Sequence, residues 1–317
     1  HGIEGEGELK VGAVKEALGF RDAEEGVDEV AKGGVGVVRG EEVADLGLEE
    51  AHEIFVDGIE ADEEGVGAHI SVDHKSPAVI GSQVLVRAVV QTGTGPTVIR
   101  LSDEAETGIN LATTEHIGEQ QITGGCLAVT VFEGSAEHTE SRHAETLAVL
   151  AAHGGTSLGE APARAWEHGR FGAPYLRDGL LAAGALCETL ETATQWSNVG
   201  ALKAAVTAAL TDTLADSGTA ALVLCHISHV YPTGASLYFT VVAAQRGNPV
   251  DQWRAAKAAA SDAIMRTGGT ITHHHAVGTD HRPWLTEEVG EVGVRVLQAV
   301  KDCLDPAGIL NPGKLIP

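Results

Sequence analysis

From residue 87 to the end of the chain, each apolar run is only long enough for one strand, and stretches of helical periodicity separate the runs. Cys126-Leu-Ala-Val-Thr-Val-Phe132 has the length and β-branched content of a buried strand. Residues 220–227 and 236–243 read as two more strands, joined by the turn-rich Tyr231-Pro-Thr-Gly234. Residues 96–100 are extended and 103–107 open a helix. Apolar positions recur at helical spacing over 137–152, a helix ended by Gly154-Gly155. Further helices are expected over 196–217, with Ser197 or Asn198 at its cap, over 250–267, stopped at Gly268-Gly269, and over 286–304, stopped by Asp305-Pro306. This order predicts an α+β fold: an antiparallel sheet containing 126–132, 220–227 and 236–243, with helices on one face.

The first 80 residues have a different character. They carry 21 Asp and Glu against six Lys and Arg, with 14 glycines and no Trp, Tyr or Cys. So few aromatics support only a modest core; Gly34-Val-Gly-Val-Val38 reads as a short strand there. Three regions follow: an acidic, Gly-rich segment of unassigned role over 1–86, a substrate (cap) domain over 87–265, and a C-terminal segment over 266–317. The chain starts at His1, without a signal pattern, and reads as an internal or processed piece.

A net charge of -24 argues against a nucleic-acid partner and against docking on anionic membranes. No apolar run is long enough to be a transmembrane segment, so a cytoplasmic location is the expectation. Cys126, Cys187, Cys225 and Cys303 lack the short spacing of a zinc or redox motif and read as buried small hydrophobes.

The densest chemistry lies in residues 269–284. His273, His274 and His275 are consecutive and are followed by Gly278, His281 and Arg282. Imidazole exchanges protons near pH 7, so proton transfer is the first function to consider. In an extended segment His273 and His275 share one face and His274 points away. His226 and His229 suggest metal binding, but i and i+3 on a strand face opposite sides, and no carboxylate or thiolate stands at ligand spacing. No metal is expected.

Five stretches, in this order, resemble the C-terminal half of the FAD-linked oxidases of the vanillyl-alcohol oxidase type. They are Val98-Ile-Arg-Leu-Ser102, Gly169-Arg-Phe-Gly-Ala-Pro-Tyr-Leu-Arg-Asp178, Gly234-Ala-Ser-Leu-Tyr-Phe239, Gly269-Thr-Ile-Thr-His-His-His-Ala-Val-Gly278 and Leu304-Asp-Pro-Ala-Gly-Ile-Leu-Asn-Pro-Gly-Lys-Leu315. The triple histidine with Ala-Val-Gly is most similar to the alkyldihydroxyacetonephosphate synthase branch. The resemblance implies FAD as cofactor and a reaction of ether-lipid synthesis, in which alkyl replaces acyl on dihydroxyacetone phosphate without net oxidation. It implies acid–base roles for Tyr238, His273, His274 and His275 and a catalytic role for Arg100. By the same resemblance Arg177 and Tyr175 contact a phosphate-bearing lipid substrate, and Gly278 and Asn311 contact the cofactor. A homodimer is a further expectation. The family's Gly-rich pyrophosphate loop has no match in 1–86, and Gly154-Gly-Thr-Ser157 follows a helix, so its glycines read as a cap. Two alternatives stay open: an FAD-linked oxidoreductase of a 2-hydroxy acid or alcohol, and a catalytically silent cap fragment that binds substrate or a partner.

Overall fold

The computed structural model describes residues 69–75, 95–112 and 125–317. The expected strand over 34–38 and most of the acidic segment lie outside the described residues. The chain divides into two compact units, one ending at Cys187 and one running from Glu188 to Pro317.

The first unit is built on strands in the order β4-β1-β3-β2. They are β1 (His69–Lys75), β2 (Val98–Ser102), β3 (Cys126–Phe132) and β4 (Thr156–Ser157). Both β1 and β2 run antiparallel to β3, with Val72 opposite Val129 and Arg100 also opposite Val129. Every residue of β3 is buried, as its continuous apolar run requires. Its Leu127, Val129 and Val131 pack with Ala163, and Val98, Leu158 and Trp166 close over that cluster.

Among the described residues, four helices belong to this unit. Helix α1 (Glu104–Ala112) starts where Asp103 Oδ1 accepts from the Glu106 amide at 2.9 Å, an N-cap bond. Helix α2 (Ala136–Ala152) ends as its glycines predict: Gly154 sits at φ 79° and the Gly155 amide donates back to Leu150 O at 2.9 Å. That settles the Gly154-Gly155 pair as a helix stop. Helices α3 (Ala161–Gly169) and α4 (Ala173–Ala182) both carry proline in the first turn, where its missing amide hydrogen has no helical partner to lose. The periodicity argument did not identify these two short helices.

In the second unit the strand order is β6-β7-β5. Strand β5 (Ala185–Gln195) enters it from Glu188, and a 3-10 turn (Trp196–Asn198) leads into helix α5 (Val199–Asp216). Strands β6 (Ala221–Val230) and β7 (Gly234–Ala244) form the expected antiparallel hairpin, closed by reciprocal backbone bonds between Tyr231 and Gly234. Helix α5 buries Val199, Leu202, Val206, Leu210 and Leu214, a stripe of helical spacing, against β6 and β7. Fully burying such a side chain stabilises the unit by about 1.5–3 kcal/mol. Helix α6 (Pro249–Arg266) presents Ala256, Ala260 and Ala263, small residues that let it pack closely on α5. Helix α7 (Arg282–Leu304) begins four residues earlier than expected, because Pro283 is tolerated in its first turn; Gly290, at φ 73°, kinks it.

Two expectations are corrected in detail. Asn198 precedes α5 but makes no cap bond; its amide donates instead to Thr194 Oγ1 at 3.0 Å and to the Thr267 carbonyl. Cys126, Cys187 and Cys225 are buried, but Cys303 is exposed on α7.

The hairpin that frames the site leaves no room at Gly234. A Cβ there would run into the Thr194 carbonyl and lie 3.0 Å from Gln195 Cα, both rigid backbone. We predict that Gly234→Ala destabilises the chain by about 1–3 kcal/mol in denaturant unfolding, as overpacking does. Gly247→Ala meets no neighbouring atom; it bears only the strain of its left-handed φ of 62° and serves as the control without overlap.

Candidate active site

The site in the second unit is organised by Glu191 on β5, a residue the sequence reading passed over. It is 4% exposed. Ser228 Oγ donates to its Oε1 at 2.6 Å and lies 2.6 Å from Ser236 Oγ, while the His229 amide donates to Ser236 Oγ at 2.9 Å. Strand β6 changes register against β7 between Ile227 and Val230. This irregularity overturns the simple alternation expected for His226 and His229.

The histidine loop is held along β5 by its backbone. The Thr270 amide donates to Ala193 O at 2.9 Å and the His273 amide to Glu191 O at 3.0 Å. Thr192 Oγ1 donates to Thr270 O at 2.6 Å. From α7, Glu288 accepts from the Ile271 amide at 2.7 Å and from Thr270 Oγ1 at 2.5 Å. So tethered, the loop is not extended. His274 and Ala276 adopt φ of 58° and 62°, left-handed values that L side chains rarely take.

This backbone corrects the expected facing of the three histidines. The His273 and His274 rings stack, with centroids 4.0 Å apart and planes at 24°. His229 meets both, at 5.2 and 4.5 Å. His275 turns to the hairpin instead and sits edge-on to Tyr238 at 5.2 Å. Behind Tyr238, its cross-strand partner His226 is buried and stacked on it at 5.0 Å. His226 therefore belongs to the tyrosine's surroundings.

Glu191 meets several of these imidazoles. Its Oε1 lies 3.2 Å from His273 Nδ1 and 3.5 Å from His229 Nδ1, and its Oε2 lies 3.7 Å from His275 Nε2. The Tyr231 hydroxyl stands 2.9 Å from His273 Nε2. Burial alone would raise the Glu191 pKa, but the Ser228 hydrogen bond and the neighbouring His273 outweigh it, so the carboxyl titrates below its usual range. Burial pushes His273 below the usual imidazole range despite the carboxylate beside it. Burial, then the Lys257 ammonium, do the same to His281, whose Nδ1 lies 2.9 Å from Ala276 O.

The structure thus brings Tyr238, His273, His274 and His275 together. Gly278 and Asn311, expected at the cofactor, lie in the adjoining loop and tail. The Leu315 amide donates to Gly278 O at 2.9 Å, and Arg282 Nη1 donates to Gly313 O at 2.9 Å. Asn311 is exposed with φ 45°. The tail is further fixed by Asp305, which accepts from the Ile309 and Leu310 amides and pairs with Lys301. Arg100, Tyr175 and Arg177 belong to the other unit. Arg100 Nη2 pairs with the buried Glu106 at 2.6 Å, while Tyr175 and Arg177 are exposed on α4.

With this geometry in hand, the class is plain. The chain belongs to the FAD linked oxidases, whose C-terminal domain model matches residues 81–315. Its similarity then narrows. It is 34% identical over 192 residues to the alkyldihydroxyacetonephosphate synthase of Trypanosoma brucei brucei, covering 60% of this chain and 31% of that one. It is 30% identical over 241 residues to the enzyme of the same name from Dictyostelium discoideum, covering 70% and 39%. A solved alkyldihydroxyacetonephosphate synthase shares the fold with a TM-score of 0.61 at 23% identity, over 78% of this chain and 44% of that one. The chain thus spans about a third of the length of these curated relatives.

FAD is the cofactor of this family, and its fit can be judged from the side chains present. His274, His275 and Tyr238 offer ring N–H and hydroxyl groups at an accessible surface, and buried Thr272 Oγ1 has no hydrogen-bond partner among the described residues. Such a donor set suits the nitrogen and carbonyl edge of a flavin ring. Among the described residues, no strand-to-helix turn carries the paired glycines that a pyrophosphate needs. The residues present fit the ring end of the cofactor.

The lowered pKa values fix how stability responds to acid. Below the ordinary 6.5 of histidine, the unfolded chain takes up protons that folded His273 and His281 resist, so acid favours unfolding. Below the ordinary 4.5 of a glutamate, protonation in the unfolded state withdraws the contribution of ionised Glu191 in the same direction. We predict denaturant midpoints that hold level above about pH 6.5 and decline below it, with a shallower decline when both His273 and His281 are replaced by glutamine.

Proposed function

We propose that this chain is the substrate-binding and flavin-facing part of an alkyldihydroxyacetonephosphate synthase-like enzyme of ether-lipid synthesis. In this reading residues 87–265 form the substrate (cap) domain and 266–317 contact the cofactor. The observation that carries it is the convergence of Tyr238 and the three histidines, distant in sequence, on one accessible patch. The relatives are named as synthases of alkyl dihydroxyacetone phosphate, and the reaction proposed for this site is the exchange of acyl for alkyl that the family resemblance implies.

The chemistry asks for a proton to leave the carbon beside a ketone and for another to reach the departing carboxylate. Tyr238 is the proposed acid–base group, its ring stacked on buried His226 and met edge-on by His275. His273 is held neutral by burial, so it can take up a proton. FAD, when bound, would supply an electrophilic ring, with no net oxidation. Arg177 is the proposed phosphate contact, because a guanidinium fork matches phosphate oxygens. Arg100, which pairs with Glu106, is proposed as a catalytic group by the family resemblance. The clustered imidazoles His229, His273 and His274, with nitrogens within 4.8 Å of one another, are read as a proton-exchanging network, since the Tyr231 hydroxyl occupies His273 Nε2.

In a full-length, FAD-loaded enzyme containing this chain, Tyr238→Phe should lower alkyl exchange by about 10²–10⁴-fold with substrate binding retained. Arg177→Lys should chiefly raise KM for the phosphate substrate, because it loses the bidentate fork. Both are measured by formation of the ether product; near-parental turnover by Tyr238→Phe would overturn the assignment.

A further inference from the structure

We propose that Glu191 is a positioning residue: its carboxylate holds His273 as the Nδ1–H tautomer, and so makes Tyr231, at the opposite nitrogen of the same ring, a second proton-exchanging group of the site. The inference rests on reading the histidine loop as a proton-transfer site, and neither residue belongs to the set that sequence motifs suggested.

The geometry gives each atom one role. An ionised carboxylate only accepts hydrogen bonds. Glu191 Oε1 lies 3.2 Å from His273 Nδ1, a buried nitrogen with no aligned hydrogen bond among the described residues, so the adjacent anion favours a proton on Nδ1. With that proton placed, Nε2 presents a lone pair, and the hydroxyl 2.9 Å away on Tyr231 is its donor. Which imidazole nitrogen is protonated is set by the bond the other one makes. Glu191 is itself pinned, since Ser228 Oγ donates to it at 2.6 Å and the backbone of His273 is bonded to that of Glu191. The ring cannot rotate freely, because His274 stacks on it at 4.0 Å and Tyr231 meets it edge-on at 5.9 Å.

The groups around this ring and its carboxylate come from three segments. Glu191 comes from β5; Ser228, His229 and Tyr231 come from the β6 end of the hairpin; and His274 and His275 come from the loop. Of these, Tyr231 is 38% exposed and Glu191 4%, so the line of groups leads from solvent to a buried anion. The proton step balances simply. As a ligand gives a proton to the Tyr231 oxygen, the tyrosine's own proton passes to His273 Nε2, and the imidazolium formed is stabilised by the Glu191 carboxylate. Reversal returns the proton. This adds to Tyr238 a second exit, so a reaction that removes one proton and delivers another need not use a single group for both.

Nitrogen NMR of this chain, labelled in its histidine rings, tests the proposal. Near neutral pH, His273 should show a protonated Nδ1 and an unprotonated, hydrogen-bonded Nε2. Glu191→Gln keeps the shape but adds a donor, and it should release the ring into a mixture of tautomers. Tyr231→Phe removes only an exposed hydroxyl and should shift the Nε2 resonance while Nδ1 stays protonated. Protonated Nε2 in the parent chain, an unchanged tautomer in Glu191→Gln, or an unmoved Nε2 in Tyr231→Phe would each overturn the proposal. If Glu191→Gln fails to fold, the parent chain and Tyr231→Phe still decide it. These spectra need no flavin and no substrate. Failure of alkyl exchange would therefore sink the functional reading alone, and a wrong tautomer would sink this inference alone.

Discussion

A carboxylate excluded from water has to be compensated, and the second unit is arranged around that demand. Glu191 is buried, and what surrounds it is a serine hydroxyl and the ring nitrogens of His229, His273 and His275. Removing the charge from this setting would leave the Ser228 hydroxyl without its acceptor and the imidazoles without their neighbouring anion. Removing the donors would leave a buried anion. Each side therefore fixes the other, which is how one strand, one hairpin and one loop come to share a register.

The supporting structure is consistent with that arrangement. A stripe of Val199, Leu202, Val206, Leu210 and Leu214 anchors α5 beneath the hairpin, and the alanine face of α6 lies against α5. Glu288 on α7 caps the start of the histidine loop through the Ile271 amide and Thr270 Oγ1. The loop can then hold His274 and Ala276 in left-handed conformations, which ordinarily cost of order 1–3 kcal/mol each. Strain of this kind persists only where surrounding contacts over-determine the backbone. Here it stacks two imidazoles and turns the third toward Tyr238.

The strands were legible where the chain spelled them with continuous apolar residues. Cys126–Phe132 is buried at every position and stands where its composition placed it. The helix stops at Gly154 and Gly268 were legible because glycine takes the positive φ that a helix end requires. Strand β5 was not legible, because Glu188 and Glu191 interrupt it and make Ala-Leu-Cys-Glu-Thr-Leu-Glu-Thr resemble neither a buried nor a half-buried strand. That single miss hid the carboxylate at the centre of the site. The triple histidine and Tyr238 could be found from sequence, since their types announce proton chemistry. Their mutual facing could not, because it depends on two positive-φ residues and on an irregular register near Ser228 that no period reveals.

The central claim is that this site serves an exchange of groups and carries out no net oxidation. The direct measurement supplies full-length, FAD-loaded enzyme with acyl dihydroxyacetone phosphate and a fatty alcohol labelled with oxygen-18, under air. The account predicts that the label appears in the ether linkage, that one unlabelled fatty acid is released per ether formed, and that oxygen is not consumed. Consumption of oxygen or of another electron acceptor, with no labelled ether, would contradict it and would mark the chain as part of an oxidoreductase.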